Sequence, residues 1–90
     1  MRPIKELLIL LREFLPININ ERMGGSICYT IYDMNYDELI TNKEERLLEG
    51  YIDDHCPIED PDIPGFWWPY GELHPRLEFL DKLIKEIDEN

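Results

Sequence analysis

The seven prolines decide where this chain can be helical. They stand at positions 3, 16, 57, 61, 64, 69 and 75. A proline past the first turn of a helix removes a backbone donor and crowds the carbonyl four residues before it. The chain therefore divides into a short stretch between Pro3 and Pro16, a long proline-free stretch, a segment with four prolines, and a tail opened by Pro75. Each stretch has its own period.

Between Pro3 and Leu15 the apolar residues Ile4, Leu7, Leu8, Leu11, Phe14 and Leu15 recur at helical spacing. Pro3 suits a first turn, where a missing N–H costs nothing, and Pro16 is expected to stop the helix. Ile9 and Leu10 widen the apolar stripe beyond one face. Such a helix is either wrapped by neighbours or paired with a second copy.

Gly24 and Gly25 interrupt the next stretch, and Ser26 is placed to cap the segment after it. From Ile27 to Tyr36 two periods compete. Ile27, Ile31 and Met34 fit a helix face, whereas Ile27, Tyr29 and Ile31 alternate as in a strand and are β-favouring types. Helix is preferred, because no second convincing strand exists to pair with a strand at 27–31.

Thr41-Asn42-Lys43-Glu44 reads as a capping box. The helix it opens carries Leu47, Leu48, Tyr51 and Ile52 on one face and should fray near Asp53-Asp54-His55. Two aspartates there face the negative end of the helix dipole, which is unfavourable by a few tenths of a kcal/mol. After the prolines, Pro75 opens a last amphipathic helix with Leu77, Leu80, Leu83, Ile84 and Ile87. The expected fold is an all-α single domain over residues 1–90, with three or four helices and a long ordered Pro/aromatic loop before the last helix. The alternative is α+β with a short strand near 27–31.

Composition narrows function by exclusion. A hydrophobic fraction of 43% argues for a packed core rather than disorder. Twenty acidic residues against nine basic ones leave a net charge of −11. That charge repels polyphosphates and anionic membrane surfaces, and nucleic-acid affinity comes mainly from Lys and Arg on phosphate. The run Leu7–Leu11 is far shorter than the roughly 20 apolar residues that span a bilayer, and it lacks a signal-peptide cleavage site. Cys28 and Cys56 make no disulfide framework. The expectation is a cytoplasmic protein with reduced thiols, no direct nucleic-acid or membrane partner, and no cofactor.

The segment from 55 to 75 holds the most suggestive residues. Phe66, Trp67, Trp68 and Tyr70 place four large rings within five positions. Such rings either lid a small helical core or serve as contacts that dominate binding energy. Arg76 comes soon after them, and no other Lys or Arg occurs between it and Arg46. It either pairs with a nearby carboxylate or offers a bidentate donor to an anionic ligand. Asp53, Asp54, Glu59, Asp60 and Asp62 form a dense acidic patch, which is a solvated loop or an interaction surface. Their spacing lacks the ligand order of a calcium loop. Cys28, His55, Cys56 and His74 supply zinc-type ligands at no zinc-finger spacing, and no nucleophile–base pair with an orienting third group is evident.

One resemblance adds to this reading. Gly25-Ser26-Ile27-Cys28, Leu39-Ile40-Thr41, Glu44 to Leu48, Tyr51-Ile52, Phe66 to Glu72 and Pro75 to Leu80 together resemble small proteins encoded by bacteriophages and prophages. The aromatic-Pro-x-Gly element followed by Pro-Arg-Leu is its most specific part. The resemblance implies a phage-type accessory role and carries no catalytic residue.

The expected function is therefore non-enzymatic: an acidic protein that binds a host protein with a basic surface, for example as an inhibitor of a defence or nucleic-acid-handling protein. The residues expected to touch the partner are Asp53, Asp54, Glu59, Asp60, Asp62, Trp67, Trp68, Tyr70 and Arg76. A nucleotide-like small ligand, stacked on Tyr70 or a tryptophan with Arg76 at its phosphate, is the alternative.

Overall fold

The computed structural model describes residues 1–21, 27–55 and 73–89, and these form four helices: α1 Ile4–Glu21, α2 Ile27–Tyr36, α3 Asn42–His55 and α4 Leu73–Glu89. There is no strand among the described residues, so the all-α expectation holds.

The central helix is α1, which packs against each of the other three, while α2 also packs against α3. Its breadth of apolar surface is what this position demands. Leu7, Leu8, Leu11 and Leu15 are completely buried, and Ile4, Leu10 and Phe14 pack around them. Three neighbours wrap the wide stripe, leaving Ile9 at its solvent margin.

Pro16 does not stop α1. The helix runs on to Glu21 with Pro16 inside it. A proline here leaves the Arg12 carbonyl without its donor, at a cost of about 3 kcal/mol. Tertiary contacts offset that cost. Leu15 is fully buried beside the proline, and Asn18, in the following turn, is 2% exposed. Asn18 Nδ2 donates to Thr30 Oγ1 of α2 at 3.1 Å, inside the core. A buried polar pair of this kind holds its two helices in one register, because a slip would break the bond inside the core.

The stretch from 27 to 36 is helical and not a strand, which sets aside the α+β alternative. Ile27, Thr30, Ile31 and Met34 are all buried, at the i, i+3, i+4, i+7 spacing of one helix face. The β-favouring tyrosines between them face elsewhere. The helix closes with a left-handed residue: Glu38 has φ 63°. Its N–H donates to the Asn35 carbonyl at 2.9 Å, and Leu39 N–H donates to the Met34 carbonyl at 2.8 Å. These are the two bonds of a Schellman motif, with glutamate at the position where glycine is usual.

The predicted capping box forms. Glu44 N–H donates to Thr41 Oγ1 at 3.2 Å, and Thr41 N–H donates to Glu44 Oε1 at 3.0 Å. Glu44 also binds the N-terminal segment, accepting from Arg2 N–H at 3.1 Å and from Arg2 Nε at 2.9 Å. Arg2 Nη2 reaches the Leu39 carbonyl at 2.6 Å. The Glu44 carboxylate is almost fully enclosed at 3% exposure. The Arg2 hydrogen bonds, aided by that from the Thr41 backbone, hold its pKa far below the usual glutamate range.

On α3, Leu48 and Ile52 are buried, while Tyr51 is half-buried and Leu47 lies 38% exposed on the flank. The helix runs through Asp53 and Asp54 and ends at His55, within the stretch where its end is expected. His55 Nδ1 donates to the Tyr51 carbonyl at 2.8 Å, and the two rings stack with centroids 4.2 Å apart. Those contacts secure an end that the aspartates weaken.

Helix α4 begins two residues before Pro75. Pro75 is thus in the first turn rather than at its first residue, and its missing N–H is still one that no helical carbonyl would have met. Phe79, Leu80 and Leu83 are buried, with Leu77, Ile84 and Ile87 packed beside them. Arg12 pairs with Asp81 at 3.0 Å and Lys5 with Asp88. Rising numbers on α1 meet falling numbers on α4, so the two helices run antiparallel.

Candidate functional site

The outer face of α2 is the most unusual surface among the described residues. Tyr29, Tyr32 and Tyr36 are 50%, 60% and 75% exposed. At 100° per residue they fall within about 60° of arc, directly opposite the buried row of Ile27, Thr30, Ile31 and Met34. They rise along about 10 Å of the helix axis. The row is local in origin: residues placed i, i+3 and i+7 must share a face, and the buried positions require that face to be the outer one.

The charge around this row has a single sign along α2. From Ile27 to Asn42 there is no Lys or Arg, while Asp33, Asp37 and Glu38 all occur there. Asp33 is four residues from Tyr29 and three from Tyr36, hence beside the tyrosine row. Asp37 and Glu38 are exposed in the turn that ends α2.

A second acidic row runs along the neighbouring helix. Glu45, Glu49 and Asp53 succeed one another at i, i+4 and i+8 on α3. Asn35 of α2 donates to Glu45 Oε2 at 2.8 Å and to Asn42 Oδ1 at 2.8 Å, fixing this row against α2. Cys28, Arg46, Glu49, Gly50 and Asp53 line a shallow cleft at the seam. Burial, together with Glu45, raises the Glu49 pKa. Burial first, then Glu49 and Glu45, raises that of the Cys28 thiol. Glu45 and Glu49, one turn apart on α3, therefore repel one another beside a partly desolvated seam that Arg46 also lines. A further positive charge arriving from outside would relieve that repulsion.

Of the residues singled out from sequence, Asp53, Asp54 and Arg76 fall among the described ones. Asp53 and Asp54 are exposed at the last turn of α3, and Asp53 belongs to the acidic row. Arg76 is buried, 2% exposed, in α4, and burial lowers the pKa of its guanidinium. Glu59, Asp60, Asp62, Trp67, Trp68 and Tyr70 lie outside the described residues, as does the aromatic-loop reading. Sequence reasoning misses the tyrosine row because its members look like ambiguous strand residues. The signal that finds it is that the core face of a helical 27–36 leaves all three tyrosines on the opposite side.

Among the described residues, no three His, Cys, Asp or Glu side chains are grouped to hold a metal ion. None of the described helices is long and apolar enough to cross a membrane. No protein-family model matches this chain, and neither the curated proteins nor the solved structures provide a match.

Proposed function

We propose that this chain is a non-enzymatic acidic binding protein, of the phage-encoded accessory type that its sequence resembles, which docks onto a basic surface of a host protein. The observation that carries this reading is the α2–α3 face. Three exposed tyrosines surround Asp33 on α2, with Asp37 and Glu38 in the turn that follows, beside an acidic row on α3. Tyrosine supplies large contact area at low entropic cost, and an acidic field of this strength accelerates association with a basic partner. Net charge of −11 supports the same choice of partner over nucleic acid or an anionic membrane. Inhibition of a defence or nucleic-acid-handling protein is one form such binding would take, because those proteins carry basic grooves.

The test is affinity capture from a bacterial lysate at low and high salt, with mass identification, using the wild-type chain and a variant in which Glu45, Glu49 and Asp53 are replaced by Gln, Gln and Asn. The expected result is a basic protein retained at low salt and lost both at high salt and with the variant. Retention unchanged by the three substitutions refutes the role of this face.

A further inference from the structure

Resting on the reading of the chain as an acidic binder, we infer that the tyrosine row of α2 selects arginine: its partner is a protein segment whose guanidinium groups stack on Tyr29, Tyr32 and Tyr36 while the adjoining carboxylates neutralise them. An acidic field alone attracts lysine and arginine equally. Aromatic faces do not, because a planar, weakly hydrated guanidinium stacks on a ring whereas an ammonium keeps its water.

Three features of the face favour this occupant. The three tyrosines branch from the backbone about 4.5 and 6 Å apart along the helix axis, which suits arginines presented one helical turn apart or at alternate positions of an extended chain. Carboxylates are at hand on both sides, with Asp33 next to the rings, Asp37 and Glu38 at one end, and Glu45, Glu49 and Asp53 across the seam. Arg46 lines the seam as a cation, whereas α2 itself contributes none beside the rings.

Charge also decides against the other occupants. A second copy of this chain would bring its own charge of −11 against the same acidic face. A single-stranded nucleic acid could stack its bases on the tyrosines, but its phosphates would meet carboxylates instead of Lys and Arg.

The experiment uses the full chain with three fluorescent probes at low ionic strength: a short peptide alternating arginine with alanine, its lysine counterpart, and an oligothymidylate. The arginine peptide is expected to bind several-fold more tightly than the lysine peptide, with no binding of the oligothymidylate. Replacing Tyr32 and Tyr36 together by leucine keeps apolar area and removes the aromatic faces. That variant should lose about 5- to 30-fold of its affinity for the arginine peptide. It should hold the lysine peptide nearly as well as the wild type, and the matching phenylalanine variant should retain the arginine preference. Both positions are exposed, so far-UV dichroism should show unchanged helicity. Equal affinity for both peptides, or no effect of the leucine variant, overturns arginine selection and leaves the acidic-binder reading standing. Binding of neither peptide overturns both. Preferential binding of the oligothymidylate overturns both in favour of base stacking.

Discussion

Replacing Glu38 by glycine should stabilise this protein, and the size of the gain can be worked out from the backbone. Glu38 is held at φ 63° by the two hydrogen bonds that close α2. A side chain in this left-handed conformation costs about 1–2 kcal/mol. Glycine escapes that cost but loses about 0.5–1 kcal/mol more backbone entropy on folding. Removing a negative charge from the C-terminal end of a helix returns about 0.3–1 kcal/mol. The central expectation is a gain of about 1 kcal/mol, or about 4–8 °C in Tm for a domain of this size. Thermal and urea melts monitored by far-UV dichroism measure it. Glu38→Ala serves as the control, since it removes the charge and keeps a Cβ, so its gain should be confined to the charge contribution of about 0.3–1 kcal/mol. A Glu38→Gly variant no more stable than Glu38→Ala would refute the claim that backbone strain is stored at this turn.

The other helices offer three more tests. Pro16→Ala restores a donor to the Arg12 carbonyl and should stabilise by about 1–2 kcal/mol in urea melts, less than the full helix-interior proline cost because alanine frees the unfolded chain. A lower midpoint would mean that the proline's own packing outweighs the lost hydrogen bond. Gly50 lies inside α3, and a Cβ built there meets nothing within 4 Å, so Gly50→Ala should add about 1 kcal/mol, and destabilisation would show that the site is not open. Glu44→Gln should destabilise at neutral pH, with a loss that depends on pH in a definite direction. Because the folded pKa of Glu44 is depressed below its ordinary value of 4.5, its stabilisation is fully present above that pH and declines as pH falls toward the folded value. The gap between wild type and variant in urea melts should therefore narrow from pH 7 to pH 3, and a gap that widens would contradict the Arg2–Glu44 pairing.

Local rules succeed where neighbours along the chain settle the matter. The Thr41–Glu44 capping box needs only residues three apart, and it forms with both of its hydrogen bonds. The last helix is legible from its period, and its start falls two residues earlier than Pro75 suggests, because a proline is tolerated anywhere in the first turn. Local rules fail where a distant contact outweighs them. Pro16 is an adequate stop for an isolated helix, but the buried leucines of α1 and the Asn18–Thr30 bond carry the helix past it. Glu38 is a poor residue for a left-handed turn, and nothing in its neighbours along the chain announces one.

The candidate site divides along the same line. Asp53 is marked in the sequence itself by its awkward place at a helix end. The tyrosine row depends on whether 27–36 is helix or strand, and alternation leaves both open. Packing decides it, because Ile27, Thr30, Ile31 and Met34 meet α1 and α3 together only on a helix. By itself the sequence determined the class of the fold, the sign of its field and the cap of α3, all properties of near neighbours or of summed composition. Tertiary structure decided which face of α2 is outward and that Glu45, Glu49 and Asp53 lie against it. Those are relations between helices, and they arise only when buried area in one element offsets a local cost in another.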